Sequence, residues 1–209
     1  MQIQTDLCLL LGIRFPIIQA PIGSAVSSQL VAAVSNSGAF GFHAFSWKTL
    51  KEIKHDILVT QALTQNSFGA NFVLKCSQKE RLKLCLDSGI RVFSFSWGDA
   101  SAYIQVVHEH DGIAMVTVGS SDEARKAVDM GADVIVAQGW EAGGHVIGQV
   151  SGLTLIPKVV DAIYPIPVIA AGGIADGRGL IAALVLGANG IWLGTRFLAS
   201  REAIAHKIY

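Results

Sequence analysis

Charge is what this 209-residue chain has least of: Asp, Glu, Lys and Arg make up 15% of it, against about 25% in an average soluble domain. So little polar side chain cannot cover a whole surface, and part of the outside is expected to be covered by something else. The 16 basic and 16 acidic residues cancel, and no run of Lys or Arg occurs, which removes the electrostatic footprint of a nucleic-acid binder. Long apolar runs are also missing. The stretch from Ile163 to Ala171 is interrupted by prolines and falls well short of the ~18 to 20 residues that span a bilayer. The N-terminus has a short apolar patch with no basic stretch before it and a strand-like segment directly behind it, so no cleaved leader is read. Cysteine is scarce: Cys8, Cys76 and Cys85 are odd in number and form no C-x-x-C, which leaves a disulfide framework and a structural zinc without support and makes buried free thiols the expectation. These absences describe a soluble cytoplasmic protein with neither nucleic acid nor membrane as partner.

What the chain does have is glycine, 22 residues of it, and 51% hydrophobic residues. Eight short apolar runs recur with helical patterns between them, the alternation of β/α units around a parallel sheet. The strands are expected at Pro16–Ala20, Phe40–His43, Gly69–Phe72, Val92–Phe95, Ala114–Val118, Val134–Gln138, Val168–Ala171 and Gly190–Leu193. Eight strands indicate a TIM-type (β/α)8 barrel, an α/β fold in one domain over 1–209. Ser120, Ser121 and Asp122 offer N-caps to a helix whose apolar face is Ala124, Ala127, Val128 and Met130 and which Gly131 stops. Asp176 caps a second, with Leu180, Ala183, Leu184 and Leu186 inward and Gly187 at its end. The length is below the ~250 residues usual for this barrel, and GTRFLASREAIAHKIY after the last strand holds only the start of an eighth helix. The barrel is therefore expected to be truncated after strand eight, with an apolar seam that self-associates or lowers stability.

Two glycine-rich turns, VIAAGGIADGRG and GIWLGTRF, follow strands seven and eight. In this fold the loops after those strands commonly hold a phosphate, because a side chain would keep its oxygens from the backbone N–H groups. A third such turn, GWEAGGH, follows strand six and sets His145 on the same rim, where an imidazole is suited to proton transfer near neutral pH. Other polar candidates read as structure. His108 and His110 stand two apart and cannot share a helix face as metal ligands would. Arg196 is given an ion pair with a helix carboxylate in preference to a phosphate, Asp176 and Arg178 brace their helix, and Glu141 holds the glycine turn. Trp97 reads equally as a ligand-stacking surface or as rim packing.

The segments IIQAPI, AVSNSGAFG, FGANF, IVAQGWEAGGH, PVIAAGGIADGRG and GTRFLAS, in this order, resemble the nitronate monooxygenase family, formerly called 2-nitropropane dioxygenases, which also includes FMN-dependent enoyl-acyl-carrier-protein reductases. The resemblance implies FMN, a β/α barrel, and oxidation of alkyl nitronates by O2 to carbonyl compounds and nitrite. It implies that Ala20, Pro21 and Ile22 lie along the flavin, that Asn71 and Gln138 are polar contacts to it, and that Gly143 and Gly144 pass beside its ring system. Gly172, Gly173, Gly194 and Thr195 would hold the phosphate, and His145 would be the catalytic histidine. The departures are Ile22 where the family usually has methionine, FHAFSW where it has glycine after strand two, Thr117 with no lysine near strand five, and no helical lid domain after strand eight. Bulky groups in FHAFSW are expected to narrow the substrate side. An enoyl thioester reductase using NAD(P)H, and a flavin-binding chain without turnover, stand as alternatives.

Overall fold

The computed structural model describes residues 3–206. Eight parallel strands close into a barrel in sequence order: β1 Ile17–Gln19, β2 Phe40–Ala44, β3 Gly69–Val73, β4 Val92–Ser96, β5 Ile113–Val118, β6 Val134–Gln138, β7 Val168–Ala171 and β8 Gly190–Leu193. The ladder is completed by β8 against β1, with Ile17, Ile18 and Gln19 opposite Ile191, Trp192 and Leu193. The strands read as near-continuous apolar runs because both faces are buried. Residues such as Ile18, Phe42, Met115, Val136, Ile169 and Trp192 fill the barrel, while their neighbours in sequence pack outward against the helices.

The helices between the strands are α2 Ser28–Asn36, α3 Leu50–Leu63, α4 Lys79–Asp87, α5 Ser101–His108, α6 Ser121–Asp129, α7 Gly152–Ile163 and α8 Gly177–Val185, with α1 Asp6–Leu11 before β1 and a short α9 Thr195–Leu198 after β8. The expected caps are present. Ser120 accepts from the Glu123 N–H at the start of α6, and Asp176 accepts from the Arg178 N–H at the start of α8. Gly131 and Gly187, both at positive φ, stop the two helices. At α3, Thr49 and Glu52 form a reciprocal capping box, a device that satisfies two of the helix's unpaired N–H groups.

Two regions take a shape the sequence left open, and one expectation is corrected. The N-terminal apolar patch is a helix, α1, whose Leu7 and Leu11 lie under the barrel with the interior residues; six residues are too few to display a helical period. The seam between the last and first units carries the four-residue α9 and the chain that flanks it. Leu30, Val34 and Ala39 form a small cluster there with Ile17, Ile22, Phe197 and Ala203, and Ser27 and Ala25 bond the backbone of Glu202 and Ile204. Residues 207–209 of the C-terminal stretch lie outside the described residues. The expectation of buried thiols holds for Cys8 and Cys85 but not for Cys76, which is exposed on the loop after β3. Among the described residues no helix is long and apolar enough to cross a membrane, and no cluster of His, Cys, Asp or Glu could hold a metal ion.

Candidate active site

The strands all point the same way, so the loops that follow them gather at one mouth, and the residues assigned to the site by the sequence lie on these loops or on the strands that lead into them. The turns after β6, β7 and β8 are packed closely, backbone to backbone between the first two and through a hydroxyl to the third. A Cβ built on Gly143 would stand 2.9 Å from Thr195 Oγ1, and one on Gly172 would stand 3.1 Å from the Ala142 nitrogen. Gly172 and Gly173 have φ of 104° and 67°, a conformation glycine adopts at no steric cost. Gly194 leads into α9 beside β1, its added Cβ meeting only Ile22 at 3.4 Å and Ala20 at 3.8 Å. The first N–H groups of α9 have no carbonyl ahead of them to bond. Backbone N–H groups and one hydroxyl, with no large side chain among them, are the donor set that suits a phosphoryl group.

The β6 loop is fastened through polar side chains. Gln138 donates from Nε2 to the His145 carbonyl at 3.0 Å and accepts from the Ile147 N–H at 3.1 Å. Both functional groups of this amide are thus occupied in shaping the loop. Glu141 accepts the Gly152 N–H through both carboxylate oxygens, at 3.0 and 3.2 Å. This sets a negative charge at the N-terminus of α7, where the helix dipole favours it. The Trp140 N–H bonds the Val150 carbonyl at 2.9 Å and closes the loop at its base. A loop fixed at these points presents His145 to solvent, with its ring against Trp97 at 6.0 Å between centroids and 74° between planes.

On the opposite side of the mouth Asn71 is buried and donates to the carbonyl and the hydroxyl of Ser94, at 3.2 and 3.3 Å. Pro21 and Ile22 are half-buried at the end of β1, and the Pro21 carbonyl accepts from Gly23. The FHAFSW segment narrows the mouth less than expected. Phe42 is inside the barrel against Trp192, at 4.9 Å, His43 and Phe45 turn outward and stack at 4.7 Å, and only Trp47, 65% exposed, stands in solvent at the rim.

His43 is the most perturbed titratable group near the barrel wall. Burial, and secondarily the charge of Lys48, lower its pKa to about 3, so it is neutral; its Nε2 bonds Thr60 Oγ1 at 2.8 Å. Thr60 itself donates to the Asp56 carbonyl, which leaves Nε2 as the protonated nitrogen. The ion pair assigned to Arg196 is absent among the described residues; Arg196 is exposed on α9, one residue past Thr195. His108 pairs with Asp133 at 3.0 Å, and Arg178 folds back on Asp176, both as structure. Sequence reasoning passed over Lys75, whose ammonium lies 4.8 Å above the Trp97 ring, because an isolated lysine in a loop carries no pattern.

The family model described as nitronate monooxygenase matches residues 4–80 and 73–209. The chain belongs to this family. A Mycobacterium tuberculosis member named (3aS,4S,5R,7aS)-5-hydroxy-7a-methyl-1-oxo-octahydro-1H-indene-4-carboxyl-CoA dehydrogenase is 38% identical over 97% of this chain and 58% of its own length. A probable nitronate monooxygenase of Staphylococcus aureus is 34% identical over 95% of this chain and 69% of its own. Among solved structures, FabK from Thermotoga maritima superposes with a TM-score of 0.94 at 36% identity, covering 99% of this chain and 66% of that one. The nitroalkane oxidase from Streptomyces ansochromogenes gives 0.88 at 30% identity, over 93% and 69%. The chain therefore spans about three-fifths of the Mycobacterium relative.

Proposed function

We propose that this chain is an FMN-dependent oxidoreductase that oxidises alkyl nitronates with O2 to a carbonyl compound and nitrite. The observation that carries the reading is His145, an exposed imidazole on a loop fastened by Gln138 and packed against the turns of Gly172 and Thr195. In this reading Gly172, Gly173, Gly194 and Thr195 hold the FMN phosphate, with Arg196 close enough along the chain to add positive charge. Ala20, Pro21, Ile22, Gly143 and Gly144 flank the ring system. Asn71 presents its amide from the far side of the mouth, and Gln138 acts through the loop it shapes. When bound, FMN supplies the redox chemistry, and the protein supplies position and electrostatics.

The chain's own part is to bind and orient. His145, charged, holds an anionic nitronate over the mouth; neutral, it takes the α-proton of a nitroalkane on a ring nitrogen. Trp97 and Trp140 keep one side of the mouth apolar. Flavin bands in the visible spectrum of the purified protein would support the cofactor, and their anaerobic bleaching by an alkyl nitronate would support the reaction. A colourless protein that takes up no added FMN would overturn both.

A redox reaction on an acyl thioester is the second reading, favoured by the relative named as a carboxyl-CoA dehydrogenase. NAD(P)H oxidation stimulated by an enoyl thioester would select it over nitronate oxidation. Flavin bands that neither treatment bleaches would leave a flavin-binding chain without turnover.

A further inference from the structure

We propose that Trp97 is a positioning residue for His145, fixing the direction of the imidazole from the loop after β4. The proposal rests on reading His145 as the substrate-side group and adds what holds it there. Gln138 fixes the backbone of the β6 loop but bonds only the His145 carbonyl. Among the described residues the imidazole itself has no hydrogen bond, and its ring partner is Trp97.

The backbone of Trp97 is left-handed, with φ of 65°, a conformation that a bulky L-residue avoids. It persists because both flanks are pinned. The Ser96 carbonyl accepts from the Leu74 N–H at 2.8 Å, and Gly98 lies so close to Leu74 that an added Cβ would meet its carbonyl oxygen at 2.8 Å. Strain of this kind survives where the surroundings over-determine it, and it clusters at functional sites.

Core packing does not account for the residue, since Trp97 is 37% exposed. What the strained backbone accomplishes is to point the indole across the mouth. There the Lys75 ammonium, from the loop after β3, lies 4.8 Å over the ring, within the range of a cation–π attraction. Edge-to-face contact of the same indole with His145 uses the preferred geometry of aromatic pairs. One side chain thereby ties together the loops after β3, β4 and β6. A loop that carries its imidazole without such a stop leaves the ring free to turn about χ1 and χ2.

The test deletes the ring without adding strain. Trp97→Gly accepts the left-handed backbone freely, and Trp97→Asn, which also tolerates it, serves as a second deletion; Trp97→Phe keeps an aromatic ring. In the full chain labelled at histidine, the His145 ring protons, assigned by their loss in His145→Ala, should carry a ring-current displacement that disappears in both deletions and largely returns in Trp97→Phe. FMN content should be unchanged, while flavin reduction by an alkyl nitronate falls on the order of 10²-fold in the deletions, the size expected for a misplaced catalytic group, and recovers in Trp97→Phe. His145 resonances that coincide in wild type and both folded deletions would overturn the proposal, as would an unchanged reduction rate. If wild type itself is not reduced by a nitronate, the functional reading fails while the resonance comparison still decides the contact.

Discussion

The two ends of the barrel share one closed ladder and differ in what they do with side-chain volume. At the floor, α1 lays Leu7 and Leu11 beneath the strands, and Leu7 lies so close to Gly190 that an added Cβ would meet its Cδ2 at 2.6 Å. Above it the interior is packed with aromatic rings tilted against one another, Phe40 against Phe42 at 5.2 Å and Phe42 against Trp192 at 4.9 Å. At the mouth the loops after β6, β7 and β8 withhold side chains, and the large residues that remain, Trp47, Trp97 and Trp140, stand partly in water. The floor is built for cohesion, and the mouth gives up burial to keep a space of fixed shape. Substitutions at one end should therefore leave the property of the other intact.

The largest effect is expected from Gly194→Asp. An added Cβ meets only ordinary contacts there, at 3.4 and 3.8 Å, so the fold should survive while the carboxylate repels a phosphate dianion. FMN binding should be abolished with a near-native melting curve, and stoichiometric FMN in the variant would break the assignment of the mouth. Next in size is His145→Ala, which should retain FMN and slow flavin reduction by substrate on the order of 10²- to 10⁴-fold, the contribution of a general acid–base group; stopped-flow reduction at the wild-type rate would return His145 to a structural role.

The floor gives the converse. Leu7→Ala removes a fully buried side chain and should cost about 2 to 5 kcal/mol, read as a lower Tm, with FMN affinity unchanged. A parallel loss of FMN affinity would show that the two ends are coupled.

Acid should act on the wall between floor and mouth. His43 is held neutral down to about pH 3 in the folded chain, whereas in the unfolded chain it takes a proton near 6.5. Below pH 6.5 the unfolded state therefore binds more protons. Stability should fall by up to about 1.4 kcal/mol per pH unit from 6.5 toward 3 through this group alone. His43→Phe leaves the Thr60 hydroxyl on the Asp56 carbonyl and should flatten that slope in chemical denaturation series; an equal slope in the variant would mean other groups carry it.

Most of this architecture was legible in the sequence for a physical reason. Strands buried on both faces appear as unbroken apolar runs, and β6, β7 and β8 fall at the expected residues, the other five within one residue at either end. The one-residue extensions at Ala44, Val73 and Ser96 belong to the mouth, where the ladder continues past the apolar stretch. The glycine turns and His145 were visible because withheld side chains and a rim imidazole leave a mark in composition. Trp97 was legible only as a stacking surface or rim packing, and its contact with His145 was not, because a left-handed tryptophan has no sequence signature. Its conformation is imposed by Leu74, residues away in the preceding unit. Gln138 was read from the family resemblance as a contact to the flavin; what the resemblance did not carry is that one of its N–H groups and its oxygen also bond the loop that follows.

The unbroken ladder from β8 back to β1 has a further consequence for how such a chain can change over generations. Each mouth loop is tied at both ends to its own strand and helix, so residues added where a loop does not touch its neighbours leave the ladder in place, and the entropic cost of lengthening a loop grows slowly. The alignment with the Staphylococcus aureus relative runs over 245 positions, more than the 209 residues of this chain, so that relative carries residues with no counterpart here. A scaffold of this kind lets descendants alter the loop after β2 while the glycine turns after β7 and β8 stay as they were inherited. Anchorage and selectivity can then diverge at different rates within one lineage.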